Sequence, residues 1–189
     1  PSTDEPERLL RQVEQLSRIV EDLRTLAHAD AHVLELDLRV VDLARVVQFA
    51  IVDLRPEAEA AGLTIGEACQ PARVRADPVR MRQVVMNLIS NAIRHGADGN
   101  AVEISVAVEG AAAVLRVADE GRGFEEGDER RLFMPFWRAA RSQVAVRSGS
   151  GLGLALAAKL VEAHGGRTVA ANRSDRSGAC FLVYLPLCD

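Results

Sequence analysis

Near the start of the chain, apolar side chains recur at steps of three and four residues and alternate with charged ones. This spacing predicts an amphipathic helix whose narrow stripe is close to the heptad pattern by which helices pair. The stripe consists of Leu9, Leu10, Val13, Leu16, Ile19, Val20, Leu23 and Leu26. Because the rest of the sequence predicts a complete domain, we expect this stripe to pack on a helix from a second copy or from outside the sequence.

After this helix the pattern changes to strict alternation over 34–38, which predicts a short strand. A helix over 43–61 follows, with Asp42 placed to cap its start and Gly62 to end it. The other predicted elements are strands at 63–65, 72–76, 101–108, 112–118, 168–171 and 179–185, and helices at 78–95 and 152–164.

The region from Asp119 to Gly151 is rich in glycine and arginine and has little periodicity. It is too long for an ordinary connection in a compact domain, and we therefore predict a lid or binding loop. Helices and largely antiparallel strands in this order predict an α+β fold, a two-layer sandwich of one sheet covered by helices, with the first helix as an addition.

Composition narrows the class of protein. The 189 residues are 48% hydrophobic with a net charge of −4, enough for one substantial core but without a basic field for nucleic acid or an anionic membrane. Cys69, Cys180 and Cys188 lack metal-ligand spacing, which favours reduced thiols in a cytosolic setting. We find no membrane-spanning run and no signal peptide. Because the first residue is Pro1 rather than Met, we expect a piece of a longer protein.

Three glycines, Gly149, Gly151 and Gly153, stand where the helix at 152–164 begins. The first turn of a helix presents free backbone amides, and glycines let a phosphate approach without meeting a Cβ. Leu154-Ala155 stands where a Walker loop needs lysine and serine or threonine. A half-polar segment precedes the glycines, where a dinucleotide fold needs a buried strand. The alternative is a flexible turn without a ligand.

Asp119 ends a predicted buried strand and is followed by Glu120-Gly121-Arg122-Gly123-Phe124. A carboxylate at this position is costly unless it has hydrogen-bond donors. The exocyclic amino group of a purine would be one such donor, and the two glycines would clear space beside the carboxylate. An ordinary turn is the alternative.

The predicted helix at 78–95 carries a polar stripe opposite its apolar one, formed by Asn87, Asn91, Arg94 and, less closely, His95. Amide oxygens suit Mg²⁺, and an arginine one turn away suits phosphate. A solvated face is the alternative, although asparagine is a poor helix former.

Together these segments resemble the N, G1, F and G2 boxes of the catalytic ATP-binding domain of sensor histidine kinases, within the wider GHKL ATPase superfamily. The resemblance runs from Ala76-Asp77-Pro78 to the closing strand at 181–186, and 132–138 is similar to the F box. It implies a Bergerat-type fold with a mixed, mostly antiparallel sheet. The first helix resembles the second helix of the dimerisation and histidine-phosphotransfer hairpin. The implied division is 1–32, a partial hairpin helix with its linker, and 33–189, the catalytic domain.

The resemblance also implies ligand contacts. On the base side, Asp119 would accept the adenine amino group, Gly121 and Gly123 would let the base fit, and His95 would lie near it. The implied phosphate-side residues are Asn91 as the Mg²⁺ ligand, Asn87 as support, Arg94 as the basic phosphate contact, and Arg138 reaching the γ-phosphate.

The lid and the helix start complete the implied site. Gly149, Ser150, Gly151, Leu152 and Gly153 would form the lid hinge and the helix start that faces the phosphates. The aromatic residues Phe133 and Phe136 would anchor the lid mainly by apolar packing, with Phe136 also at the nucleotide. Lys159, the only lysine, is expected to be a solvated residue.

The implied function is transfer of the γ-phosphate of ATP, with Mg²⁺, to a histidine on the hairpin, for onward signalling to a response regulator. The parent would be a homodimer anchored in the membrane, with this domain in the cytoplasm and no nucleic acid as partner. The family's acceptor segment is missing, since the histidines at 28, 32, 95 and 164 stand in other contexts. The alternatives are another GHKL ATPase, of the chaperone or mismatch-repair type, and a nucleotide-binding docking module without kinase activity.

Overall fold

The computed structural model describes residues 4–31, 33–96, 100–138 and 150–188. Its helices are α1 (Asp4–Asp30), α2 (Leu43–Ala60), α3 (Pro78–His95) and α4 (Gly153–Ala163). Its strands are β1 (Arg39–Asp42), β2 (Thr64–Cys69), β3 (Arg73–Ala76), β4 (Ala101–Glu109), β5 (Ala112–Asp119), β6 (Arg167–Asn172) and β7 (Ala179–Pro186). A 3₁₀ turn covers Arg131–Phe133. In the described ranges no helix is both long and apolar enough to cross a membrane.

Five strands form the main sheet in the order β2-β4-β5-β7-β6. The β2–β4 pair is parallel, and the other three pairs are antiparallel. Strands β1 and β3 form a separate antiparallel pair, which the sequence analysis did not predict. The predicted α+β class, with helices packed on a mixed and mostly antiparallel sheet, is confirmed.

The core lies between the main sheet and helices α2, α3 and α4. Strand β4 alternates along its length, with Val102, Ile104 and Val106 buried toward the helices and half-buried residues between them. Helix α3 buries the apolar side that contains Val84 and Leu88, which leaves its polar stripe on the other side.

The predicted Asp42 cap is confirmed, and Asp77 caps α3 in the same way. Asp42 accepts a hydrogen bond from the backbone of Ala44 at 3.1 Å, and Asp77 accepts one from Val79 at 2.9 Å. The Asp77 N–H donates at 3.0 Å to Nε2 of the buried His164, whose Nδ1 donates to a carbonyl of α4 at 2.6 Å. The end of α4 is therefore attached to the start of α3.

The predicted strand at 34–38 is wrong, because residues 33–38 have no regular secondary structure and β1 begins at Arg39. Leu34 packs against the core, and the Asp37 N–H donates to the Asp77 carboxylate at 3.2 Å. The alternation of apolar residues therefore reflects a connection held by a helix cap, while strand pairing begins only where β3 is available.

The predicted first helix is confirmed, but its packing differs from the expectation. Its C-terminal turns belong to the domain core, where Leu26 is 5% exposed. Lys159 of α4 is a solvated residue as expected, with its side chain 41% exposed, and it also pairs with Asp30 at 3.2 Å and with Glu162 at 3.3 Å. The exposed positions of the stripe are Leu9, Leu10, Val13, Leu16, Val20 and Leu23.

Candidate functional site

Asp119 lies at the end of β5, and its side chain is 2% exposed. Its Oδ1 accepts hydrogen bonds from the backbone of Gly121 at 2.9 Å and of Ala179 at 3.2 Å. Among the described residues these are the two hydrogen bonds of the carboxylate, and Oδ1 accepts both of them. Desolvation raises the pKa of Asp119 despite the two backbone donors. The second oxygen is therefore available to a hydrogen-bond donor from a ligand.

The two glycines after Asp119 make room for different neighbours. A Cβ on Gly121 would clash with the His95 carbonyl oxygen and would lie 3.0 Å from Asp119 Oδ1, so this glycine does clear space beside the carboxylate. Gly123 has a φ of +69°, and a Cβ there would clash with the Asn172 side chain. Its missing side chain thus serves a contact within the protein, which the sequence analysis did not foresee.

The C-terminal end of α3 lies beside Asp119. A Cβ on Gly96, which ends the helix, would lie 3.0 Å from the Asp119 Cβ. Desolvation and the positive charge of Arg94 lower the pKa of His95, while the charge of Asp119 acts in the opposite direction. His95 and Asp119 therefore belong to one electrostatic environment.

The polar stripe of α3 faces the start of α4. The side chain of Asn87 donates to the Gly153 carbonyl at 3.2 Å, and a Cβ on Gly153 would lie only 3.6 Å from Asn87 Oδ1. Asn91 lies one turn further along α3 and is half-buried, and the structure gives no hydrogen bond from its amide to another described residue. Arg94, a further turn along, is exposed. The Asn87 side chain is thus fixed by a hydrogen bond, whereas the amide oxygen of Asn91 is available to a ligand.

The two sides of the predicted lid meet at its base. The Phe136 N–H donates to the Gly151 carbonyl at 3.0 Å, and both residues have a positive φ. The Leu152 N–H donates to Ser150 Oγ at 3.3 Å, and the Leu152 side chain is fully buried, so only its backbone is available to a ligand. Two residues named above, Gly149 and His32, lie outside the described residues.

The two phenylalanines of the predicted lid anchor behave differently. Phe133 packs edge-on against Phe181, with 6.3 Å between ring centroids, as predicted for an apolar anchor. Phe136 is 60% exposed, so the prediction that it anchors the lid by packing is wrong. Its backbone hydrogen bond to Gly151 joins the two sides of the lid instead. Arg138, beyond it, is exposed.

The sequence analysis missed the contribution of the turn between β6 and β7. Asn172 exchanges two hydrogen bonds with the backbone of Phe124, at 2.9 and 2.8 Å, and Ser177 Oγ donates to the Gly121 carbonyl at 2.7 Å. The run of polar residues over 172–178 indicated a loop but gave no sign of which segment it contacts.

The chain is similar in sequence to a known family and to individual proteins. A family profile described as histidine kinase-, DNA gyrase B-, and HSP90-like ATPase matches residues 76–189. The sensor histidine kinase MtrB of Mycolicibacterium paratuberculosis is 34% identical over 96% of this chain. The sensor protein SphS of Synechococcus elongatus is 35% identical over 97% of it. The chain spans 32% of the length of that MtrB and 47% of SphS.

Solved structures show the same similarity. The Acinetobacter baumannii histidine kinase AdeS superposes with a TM-score of 0.83 at 30% identity, over 100% of this chain and 87% of that one. Full-length ShkA in complex with AMPPNP gives a TM-score of 0.82 at 26% identity, over 96% of this chain and 38% of that one.

Proposed function

Because the chain belongs to the histidine kinase-, DNA gyrase B- and HSP90-like ATPase family and carries the catalytic ATPase domain of a sensor histidine kinase, we propose the following function for it. It binds ATP with Mg²⁺ and transfers the γ-phosphate to a histidine on a phosphotransfer helix outside this sequence. One observation carries the proposal: a buried carboxylate with an available oxygen, the polar stripe of α3 and the start of α4 surround one site.

Asp119 would select adenine. Its available oxygen is an acceptor, and the 6-amino group of adenine is a donor, whereas guanine presents a carbonyl oxygen at the same position. Gly121 would leave space for the base, and the ring of His95 would lie beside it. We therefore expect ATP to bind more tightly than GTP, since the wrong base would leave a buried carboxylate unpaired.

On the phosphate side, Asn91 would bind Mg²⁺, because an amide oxygen without another partner is a hard ligand of the kind that this ion prefers. Mg²⁺ would supply charge neutralisation between the phosphates. Asn87, fixed by its bond to Gly153, would hold the start of α4 in place, where free backbone amides favour an anion. The arginines Arg94 and Arg138 would contact the phosphates, and Arg138 would reach the γ-phosphate.

In phosphoryl transfer the protein forms no covalent intermediate in this proposal and acts mainly on the position and charge of the reacting groups. Phosphoryl transfer depends on in-line positioning and on stabilising the charge of the transferring group. The chain's residues would orient the nucleotide from both ends, through Asp119 at the base and the α3 stripe at the phosphates. The region from Asp119 to Gly151, of which residues 139–149 lie outside the described part of the chain, would act as a lid that closes over the nucleotide and opens to release ADP.

The proposed partners follow from the exposed part of α1. Its apolar stripe would pack in the hairpin of a homodimeric parent protein, whose other helix carries the acceptor histidine. We propose 1–32 as the hairpin helix with its linker and 33–189 as the catalytic domain, and a response regulator as the final recipient of the phosphoryl group. A cytoplasmic position, with the parent anchored in the membrane, agrees with the three free cysteines.

The deciding experiment mixes the chain with Mg²⁺ and γ-labelled ATP and a separate hairpin that carries the acceptor histidine. We expect acid-labile label on the hairpin and none on the same hairpin with that histidine replaced by glutamine. Steady phosphate release without label would favour another type of GHKL ATPase. Nucleotide binding with neither product would favour a docking module without kinase activity.

A further inference from the structure

The turn that joins β6 to β7, residues 172–178, is hydrogen-bonded to the segment that follows Asp119. Asn172 fixes both backbone groups of Phe124, and Ser177 fixes the carbonyl of Gly121. At the end of the turn, a Cβ on Gly178 would clash with the Asp119 carbonyl oxygen, so the two backbones are in direct contact. The next residue, Ala179, donates to Asp119 Oδ1. The β6–β7 turn therefore holds the loop after Asp119 at several points.

The same turn carries a buried guanidinium. The Arg173 side chain is 2% exposed and donates to Glu103 at 3.2 Å and to both carboxylate oxygens of Asp175, at 3.0 and 2.8 Å. Its Nη1 is buried and has no hydrogen-bond partner among the described residues. Desolvation raises the pKa of Asp119, and the positive charge of Arg173 is among the influences that oppose this rise.

We propose that the β6–β7 turn is a positioning element of the adenine site, which holds the segment 119–124 in its ligand-binding shape. This inference rests on the proposed function. Hydrogen bonds from Asn172 and Ser177 restrict the loop, and Arg173, which donates to Glu103 of β4 and to Asp175, holds the turn itself.

This positioning has a thermodynamic consequence. If the loop were mobile in the free protein, nucleotide binding would have to order it, and the affinity would fall by the free energy of that ordering. A loop that is already held by Asn172 and Ser177 avoids this loss.

Calorimetric titration with Mg²⁺ and ATP tests this positioning. We expect Asn172→Ala to weaken ATP binding about tenfold and Ser177→Ala about fivefold, since each hydrogen bond contributes on the order of 1 kcal/mol. Both side chains are exposed, so these variants should fold. The matched control is Ser174→Ala in the same turn, whose hydroxyl makes no hydrogen bond to another described residue, and it should bind as the wild type does. Amide hydrogen exchange of the nucleotide-free protein should be faster at 121–124 in the two variants but not in the control.

Wild-type affinity and wild-type exchange at 121–124 in these variants would overturn the inference while leaving the proposed function in place. Faster exchange in a chain whose wild type binds no ATP would instead overturn the proposed function and confirm only that the turn holds the loop.

Discussion

At the scale of the single residue, the Asp119 carboxylate would serve ligand binding while its burial lowers the stability of the fold. Burial raises its pKa, so the folded protein holds a proton on this group more tightly than the unfolded chain does. The ionised carboxylate therefore lowers stability at pH values above the ordinary aspartate pKa near 4, and this loss disappears as the pH falls below it. A group with this behaviour is retained for binding rather than for folding.

Asp119→Asn should separate these two effects. The amide oxygen can still accept from Gly121 and Ala179, but the amide nitrogen replaces the available acceptor and faces the adenine amino group with a second donor. We expect ATP affinity to fall about 10- to 100-fold. The free energy of unfolding at pH 7, measured with urea, should not decrease, because the desolvation cost of the charge is removed.

A carboxylate far from the site provides the control for this substitution. Glu109 is exposed and lies at the opposite end of the β4–β5 pair from Asp119. Glu109→Gln makes the same change from carboxylate to amide and should leave ATP affinity unchanged. Unaltered ATP titrations for Asp119→Asn, or equal losses for both variants, would contradict the assignment of Asp119 to the base.

At the scale of secondary structure elements, local signals were sufficient where the stabilising contacts are local. Asp42 and Asp77 cap helices through bonds to residues two and three positions away, which is why both helix starts could be read from the sequence. The segment 34–38 was misread because its alternation arises from contacts with α3 and the core rather than from a strand partner. The β6–β7 turn was missed because its bonds to the loop after Asp119 cross 48 and 56 residues of sequence.

The stripe of α3 yields a paired prediction, because its two asparagines have different surroundings. Asn87→Ala removes the bond to Gly153 and should lower the free energy of unfolding by about 1 kcal/mol. Asn91→Ala removes no such bond and should change it by less than about 0.5 kcal/mol. In titrations with Mg²⁺ and with a chelator, Asn91→Ala should lose the enhancement of ATP affinity by the metal. A wild-type enhancement in this variant would exclude Asn91 as a Mg²⁺ ligand.

At the scale of the whole molecule, α4 connects the first helix with the proposed nucleotide site. One end of α4 begins beside Asn87, and Lys159 further along the helix pairs with Asp30 of α1. At its other end, His164 accepts from the backbone of Asp77 at the start of α3. The helix proposed for the hairpin thus contacts the element proposed to face the phosphates, so the position of α1 and the shape of the proposed site are physically connected.

Two leucines of the same helix test whether α1 is part of the domain. Leu26 is 5% exposed and lies in the core, whereas Leu16 is 62% exposed. Leu26→Ala should lower the free energy of unfolding by about 2 to 4 kcal/mol, because it removes buried apolar surface and leaves a cavity. Leu16→Ala should change it by less than about 0.5 kcal/mol at low protein concentration.

A loss of stability at Leu16 that grows with protein concentration would indicate self-association through the exposed stripe. Equal and small effects at both positions would mean that α1 folds independently of the catalytic domain and that the division at residue 32 is also a boundary of stability.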